Sequence, residues 1–396
     1  DYKSIVGKGI KFVSSNLDND QAEGQIWYNS TDGKFRDAII GQAWSSGAPV
    51  ITARLGGGAA DQGTQTAGLI FGGSAPFSNS TEEYNGTGFS LGGNLPAPVA
   101  ESKGAGTQTA ALSFMGLSNP STHIAESYEY NGSTWGSETD LNTSRYDGGG
   151  NGTQTAGLGF GGYTTTSVAN TEEYNGASWT NVNSMSTARY SFGHAGVQTS
   201  AIAVTGVTPP GRVNSVEEYD GTNWTAGTNY PATLGGNEGF GSVNTSAIFA
   251  GGSTSPPTLV TTCNSYDGTS FSSVPSLSNS AAAGFTGGTS SAGLYMTGIR
   301  TAPGTTGSDV EEYNSSINIV TAAAWASGDA TNTALGTTAG SGTQTAGIIF
   351  SGADNKNNTE LYDGSSWTAG PTLGQGRYGA GEATNAPQTA ALCFGG

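Results

Sequence analysis

Charge is scarce in this sequence, and positive charge above all. Only 11% of the 396 residues are charged, with 13 Lys+Arg against 30 Asp+Glu and a formal net charge of −17. Nucleic-acid binding draws on clustered cations that neutralise phosphates, so the composition argues against that partner. The same reasoning argues against anionic membrane surfaces. The two cysteines, Cys263 and Cys393, lie far apart and form no CxxC pair, which disfavours a thiolate metal site. Two buried free thiols are expected, with a single closing disulfide as the alternative. His123 and His194 are the two histidines, too few for a His-rich copper centre. No apolar run approaches the ~20 residues of a membrane span, and no secretory leader is legible.

Glycine is abundant, with 65 residues, and it falls at fixed places. "TQTAGLIFGG" (64–73) returns as "TQTAALSFMG" (107–116), "TQTAGLGFGG" (153–162), "VQTSAIAVTG" (197–206), "VNTSAIFAGG" (243–252), "TSSAGLYMTG" (289–298), "TQTAGIIFSG" (343–352) and "PQTAALCFGG" (387–396). A recurrence in the mid-forties marks a solenoid or propeller. Within one unit, "ARYSFGHAG" (188–196), "SAIAVTG" (200–206), "SVEEYDG" (215–221) and "TNWTAG" (222–227) read as four short strands. The third alternates in polarity, and the Asn-Gly or Asp-Gly that ends it predicts a two-residue hairpin. No helical period occurs.

The repeated "TEEYNG" (81–86 and 171–176) is then chiefly structural. Tyr84 and Glu82 are expected on one face of the strand and Glu83 on the other. The acid pairs Glu82-Glu83, Glu172-Glu173, Glu217-Glu218 and Glu311-Glu312 would form a ring in equivalent sheets. Adjacent strand residues face opposite ways, so these are not catalytic dyads. They are expected to be solvated strand residues, with cation binding between sheets as the sharper alternative.

These units resemble kelch repeats, in which an apolar strand ending in Gly-Gly is followed by a Tyr and then a Trp. The pattern reads Gly161-Gly162, Tyr174, Trp179, and also Gly72-Gly73, Tyr84, Phe89. Tyr130 with Trp135, Tyr219 with Trp224 and Tyr362 with Trp367 repeat its second half. Arg145 and Arg189 follow the Trp of the unit before, again as in kelch units. The resemblance implies an all-β, kelch-like β-propeller of four-stranded blades. Eight second strands can be counted, with seven blades the next reading. The chain stops after a second strand, and "GQIWYNSTDGKFRDAIIGQAWSSG" (24–47) matches third and fourth strands. The expected closure is therefore one blade shared by the N- and C-terminal strands, which protects sheet edges. The Trp residues should fill gaps between blades.

"IKFVSSNLDNDQAEGQIWYNSTDGKFR" (10–36) further resembles the opening of tailed-phage virion proteins, and the repeat array resembles proteins of marine phages. This implies a non-enzymatic virion structural protein at the particle surface, as a tail fibre or host-recognition module. A capsid or tail decoration protein is the alternative, and a glycan-processing enzyme the remote one. No nucleophile elbow, phosphate loop or sialidase-type Asp box is present. No cofactor is expected, with Ca2+ the one considered. Residues 1–20 are expected to be an attachment arm, through Ile5, Ile10, Phe12 and Val13, and residues 21–396 the propeller. The expected partners are other virion proteins, a host-surface glycan or protein, and further copies of the chain. Aromatics in the variable loops are sparse, namely Phe77, Tyr163 and Tyr230, and Pro-rich loops follow the second strand ("TPPG", 208–211; "SPPT", 255–258). Loops on one face of a propeller are the usual binding surface, so a binding or scaffold module with no named ligand is expected.

Overall fold

A computed structural model describes residues 11–13, 26–31, 34–255, 258–301, 305–322, 330–333, 336, 338–343, 345–350, 352–382 and 386–395. The described chain is all-β apart from two single-turn 3-10 segments. It divides into two compact units, a smaller one of residues 1–16, 26–37 and 321–396 and a larger one of 17–25 and 38–320. The expected boundary at 20/21 lies outside the described residues, as do Ile5 and Ile10.

The larger unit holds a series of four-stranded antiparallel sheets, which makes it a β-propeller. The strand order of the first is Gly58–Ala59, Gly68–Phe71, Thr81–Tyr84, Phe89–Leu91. Four more follow in chain order, ending with Glu238–Val243, Ser246–Ala250, Cys263–Tyr266, Phe271–Val274. The sixth sheet is composite. Phe285–Thr289 pairs with Ala292–Met296, which pairs with Val310–Ala322, and beside that lies Lys34–Gly47.

A sequence difference accompanies this exchange. The other five sheets of the larger unit follow their third strand with Asx-Gly, but the sixth has Asn314-Ser315. Those turns are four-residue loops, not the expected two-residue ones. Tyr84 pairs with Phe89 across Asn85–Gly88, and the Asn85 side-chain oxygen accepts from the backbone N–H of Thr87 and Gly88. Gly86 takes φ +87°, which a serine resists. In the sixth sheet the third strand runs on for 13 residues. Its fourth position is filled by residues 38–47.

This corrects the expected shared blade. Cys393–Phe394 pairs with Gly381–Glu382, and Ile26–Asn29 pairs with Lys34–Asp37 and, in parallel, with Lys11–Val13. No described sheet unites the two ends. Phe12 and Val13 lie in that short parallel strand.

Aromatic residues wedge between the sheets as expected. Trp135, Trp179 and Trp224 are buried. Each indole N–H donates to a hydroxyl on the third strand of the preceding sheet: Thr81 at 2.9 Å, Ser127 at 3.0 Å and Thr171 at 3.0 Å. Trp44 takes the corresponding place in the sixth sheet, 5.2 Å from the Tyr313 ring and donating to Pro275 O. Trp367, in the smaller unit, is half-buried beside Tyr362. Gly72 and Gly73 both have positive φ, and a Cβ on Gly72 would stand 2.4 Å from Val99 O. The doublet is therefore a close-approach device, and Gly161 and Gly162 repeat it.

Candidate functional site

The acid pairs are not a solvated ring. The first glutamate of each is buried, with Glu82 and Glu172 at 0% exposure. Arg54, Arg145 and Arg189 lie buried against Glu82, Glu172 and Glu217 at 2.8, 2.5 and 2.8 Å. The same carboxylates accept backbone N–H groups, as Glu82 does from Ile51 and Thr52 and Glu217 from Ser186 and Thr187. Charged partners plus orphan donors account for burying an anion. The second glutamates, and Glu129 at the equivalent place in the second sheet, work across the joints. Tyr130, Tyr174 and Tyr219 donate to Glu83, Glu129 and Glu173 of the preceding sheet at 2.6, 3.2 and 2.8 Å. Tyr84 of the first sheet donates to Glu312 of the sixth. Gln65 likewise reaches from the first sheet to Tyr313 O of the sixth at 2.9 Å.

The first strands of the six sheets meet around an axis. Just before each strand, one residue sits in the left-handed region: Gly56, Glu101, Asp147, Ser191, Gly236 and Ala283. The backbone N–H of each donates to the carbonyl of the one before, Glu101 to Gly56, Asp147 to Glu101, and so on round to Gly56, which donates to Ala283 at 3.3 Å. The hydrogen bonds form a closed cycle.

Inside this cycle lies a cluster of titratable side chains. Lys103 interacts with Glu101, Asp147 and Glu238 and lines one cavity with Asp61, His194 and Glu238. Burial pushes the Glu238 carboxyl up to about 8, against the pull of Lys103, and Asp61 up to about 7, against hydrogen bonds from Asn151 and Gln62. Glu101 and Asp147 are raised by burial too. For Lys103, burial works against the charge, yet Glu238, Asp147 and Glu101 outweigh it and raise its pKa. Burial, then Lys103, hold His194 well below the ordinary histidine range. The cavity among Asp61, Lys103, His194 and Glu238 is about 20 Å³, room for a water molecule and little more. Among the described residues, no group of three or more His, Cys, Asp or Glu could hold a metal ion.

This cluster gives stability a definite pH dependence. Unfolded carboxyls titrate near 4, so between there and the folded values the folded state holds more protons. Stability must then fall as pH rises through about 7 and 8. His194 acts oppositely, but only below its unfolded value near 6.5. Stability in denaturant melts is expected to increase by about 2 kcal/mol from pH 9 to pH 6.5, and Glu238→Gln should flatten the slope. Equal stability at the two pH values would sink this assignment.

The outer rim of the axis carries the second feature. Each residue before the left-handed one bridges to the end of a second strand: Leu55 with Ser74, Ala100 with Leu117, Tyr146 with Tyr163, Tyr190 with Val207, Gly235 with Ser253 and Ala282 with Ile299. The third and fourth sheets alone put tyrosine at the first position. Tyr146 and Tyr190 flank Tyr163, with ring centroids 5.6 and 4.9 Å away, and His123 stacks on Tyr146 at 5.1 Å. All four side chains are half-exposed.

Of the loop aromatics expected from the sequence, Tyr163 joins this row. Tyr230 does not, being buried against Phe249 and Phe271. His123, expected in a loop, lies in the strand Thr122–Tyr130. Cys263 is buried and Cys393 half-buried, and both are free thiols. Tyr146 and Tyr190 were not singled out by sequence, although their place after Arg145 and Arg189 was a signal.

No family model and no curated protein matches this chain. The solved structure of YjhT superposes on 67% of this chain and 95% of its own, with a TM-score of 0.57 at 14% identity. That similarity supports the β-propeller fold.

Proposed function

We propose that this chain is a non-enzymatic binding module of a tailed-phage particle, displayed for host recognition. Residues 38–320 act in this reading as a six-bladed propeller whose last blade takes Ala38–Gly47 as its fourth strand. The Tyr146, Tyr163 and Tyr190 row is its ligand face, and the arm of residues 1–20 joins it to other virion proteins. The row carries the argument. Equivalent positions that agree between repeats serve the fold, as Tyr84, Tyr130, Tyr174 and Tyr219 do. The rim positions instead read Leu55, Ala100, Gly235 and Ala282 in the other sheets, so the fold does not require tyrosine there. Half-exposed rings at a loop-bearing face suit recognition of a surface ligand. The axial carboxyls favour binding over catalysis too, since about 20 Å³ is far below the few hundred Å³ a substrate site needs.

The test is retention of the purified protein on an array of immobilised bacterial surface polysaccharides. Tyr163→Ala should weaken retention by tenfold or more while melting like the parent. Unchanged retention would refute the face; loss of the fold in this variant would be checked with Tyr190→Phe and Tyr190→Ala.

A further inference from the structure

We propose that the ligand of the tyrosine row carries an organic ammonium group, which sits on the rings with its charge toward Asp147 and Glu101. The inference rests on the binding reading above and adds the chemistry of the ligand. Tyr146 and Asp147 are consecutive, and Asp147 is held in the left-handed region at φ +55°. The Asp147 backbone N–H donates to Glu101 O at 3.1 Å, and the Tyr163 and Tyr190 rings follow Tyr146 along the row, so these groups share one neighbourhood. Burial raises the Tyr146 phenol first, and Asp147, Tyr163, Tyr190 and Glu101 raise it further. The Tyr190 phenol is raised by burial and by Asp147 and Tyr163, with Arg212 opposing.

Three carboxyls, Glu101, Asp147 and Glu238, face the single ammonium of Lys103. The mouth of the axis therefore has an excess of negative charge whenever they are ionised. Arg212, which donates to Thr254 O, keeps its charge and acts on Tyr190, so two cations face three carboxyls and one negative charge is left in excess when all three are ionised. Among the described residues, the cation stacked on an aromatic ring is Arg300 over Tyr295, at 5.0 Å, and none lies over the row. Aromatic faces beside carboxylates attract alkylated ammonium groups through the ring quadrupole, by more when the site is partly desolvated. An acidic ligand would meet repulsion at the same place, and the chain's net charge of −17 adds to it.

Choline and its uncharged isostere 3,3-dimethylbutan-1-ol separate charge from shape. Calorimetry and NMR titration on the full chain at pH 8 should show choline binding at least tenfold more tightly than the alcohol. Asp147→Asn combined with Glu101→Gln should erase that difference. Because choline's charge is fixed, its affinity should fall as pH is lowered from 8 to 5 and these carboxyls take up protons. Equal binding of the two probes, binding of neither, or a preference that survives the double variant overturns the inference. If neither probe binds but Tyr163→Ala still loses polysaccharide retention, the binding face stands and only the ammonium is wrong. If both fail, the face falls as well.

Discussion

Replacing Arg145 by alanine should destabilise the larger unit by about 3–5 kcal/mol, the usual cost of leaving one charge of a buried pair unpartnered. Arg145 has 0% exposure and donates to Glu172 at 2.5 Å and to Gly159 O at 3.1 Å. Without it, Glu172 must either ionise without its cation or take up a proton. In many proteins a buried pair can be exchanged for apolar residues at little cost. Here that exchange should fail. Glu172 also accepts from the Asn142 backbone N–H at 2.6 Å and from its side chain at 2.9 Å. A Glu172→Leu partner would orphan those donors, so Arg145→Met with Glu172→Leu should recover only part of the loss. Urea melts of the single and double variants decide it. A double variant as stable as the parent would show that the carboxylate serves its arginine alone.

The spacing of these pairs was available in the sequence. Arg54, Arg145 and Arg189 each precede their glutamate by 27 or 28 residues, a relation as regular as that between Tyr and Trp. What composition could not tell was burial. An acid pair on an alternating strand reads as half solvated, whereas in a propeller both faces of each sheet meet neighbours. That is why Glu82 and Glu83 are both used, one by Arg54 and one by Tyr130. The Gly-Gly ends, the Tyr-Trp pairs and the four-strand units were legible because every repeat states them again. The tyrosine row was not, since Tyr146, Tyr163 and Tyr190 converge only when the third and fourth sheets lie side by side. Closure was misread for a related reason. Residues 24–47 do carry third- and fourth-strand patterns, but pattern does not name the sheet that receives them. That sheet differs from the other five of the larger unit in lacking a glycine after its third-strand Asn314.

The largest effect is expected from removing the strand that completes the sixth sheet. Deleting residues 38–47 takes away Trp44, its contacts with Tyr313 and Phe240, and its bond to Pro275 O. It also bares one edge of Val310–Ala322, and an unpaired edge invites association with other chains. Trp44 is partly buried, so cutting it to alanine should cost about 1–3 kcal/mol, below the range for a fully buried ring. The joint it seals keeps bonds from Thr286 to Gly239 O and between Ser246 and Ser290 but lacks two ties found at other joints. Ser265 stands where other sheets place a glutamate for the next tyrosine, and Ser290 stands where Gln65, Gln108, Gln154 and Gln198 clamp the preceding sheet. Hydrogen exchange should therefore be fastest at this joint in the intact chain, and loss of residues 38–47 should abolish the cooperative melt of the larger unit. Deleting residues 387–396 should leave that melt unchanged, because Cys393–Phe394 pairs only with Gly381–Glu382 among the described strands. The opposite ranking of the two deletions would restore the shared blade expected from the sequence and remove residues 38–47 from the role assigned to them.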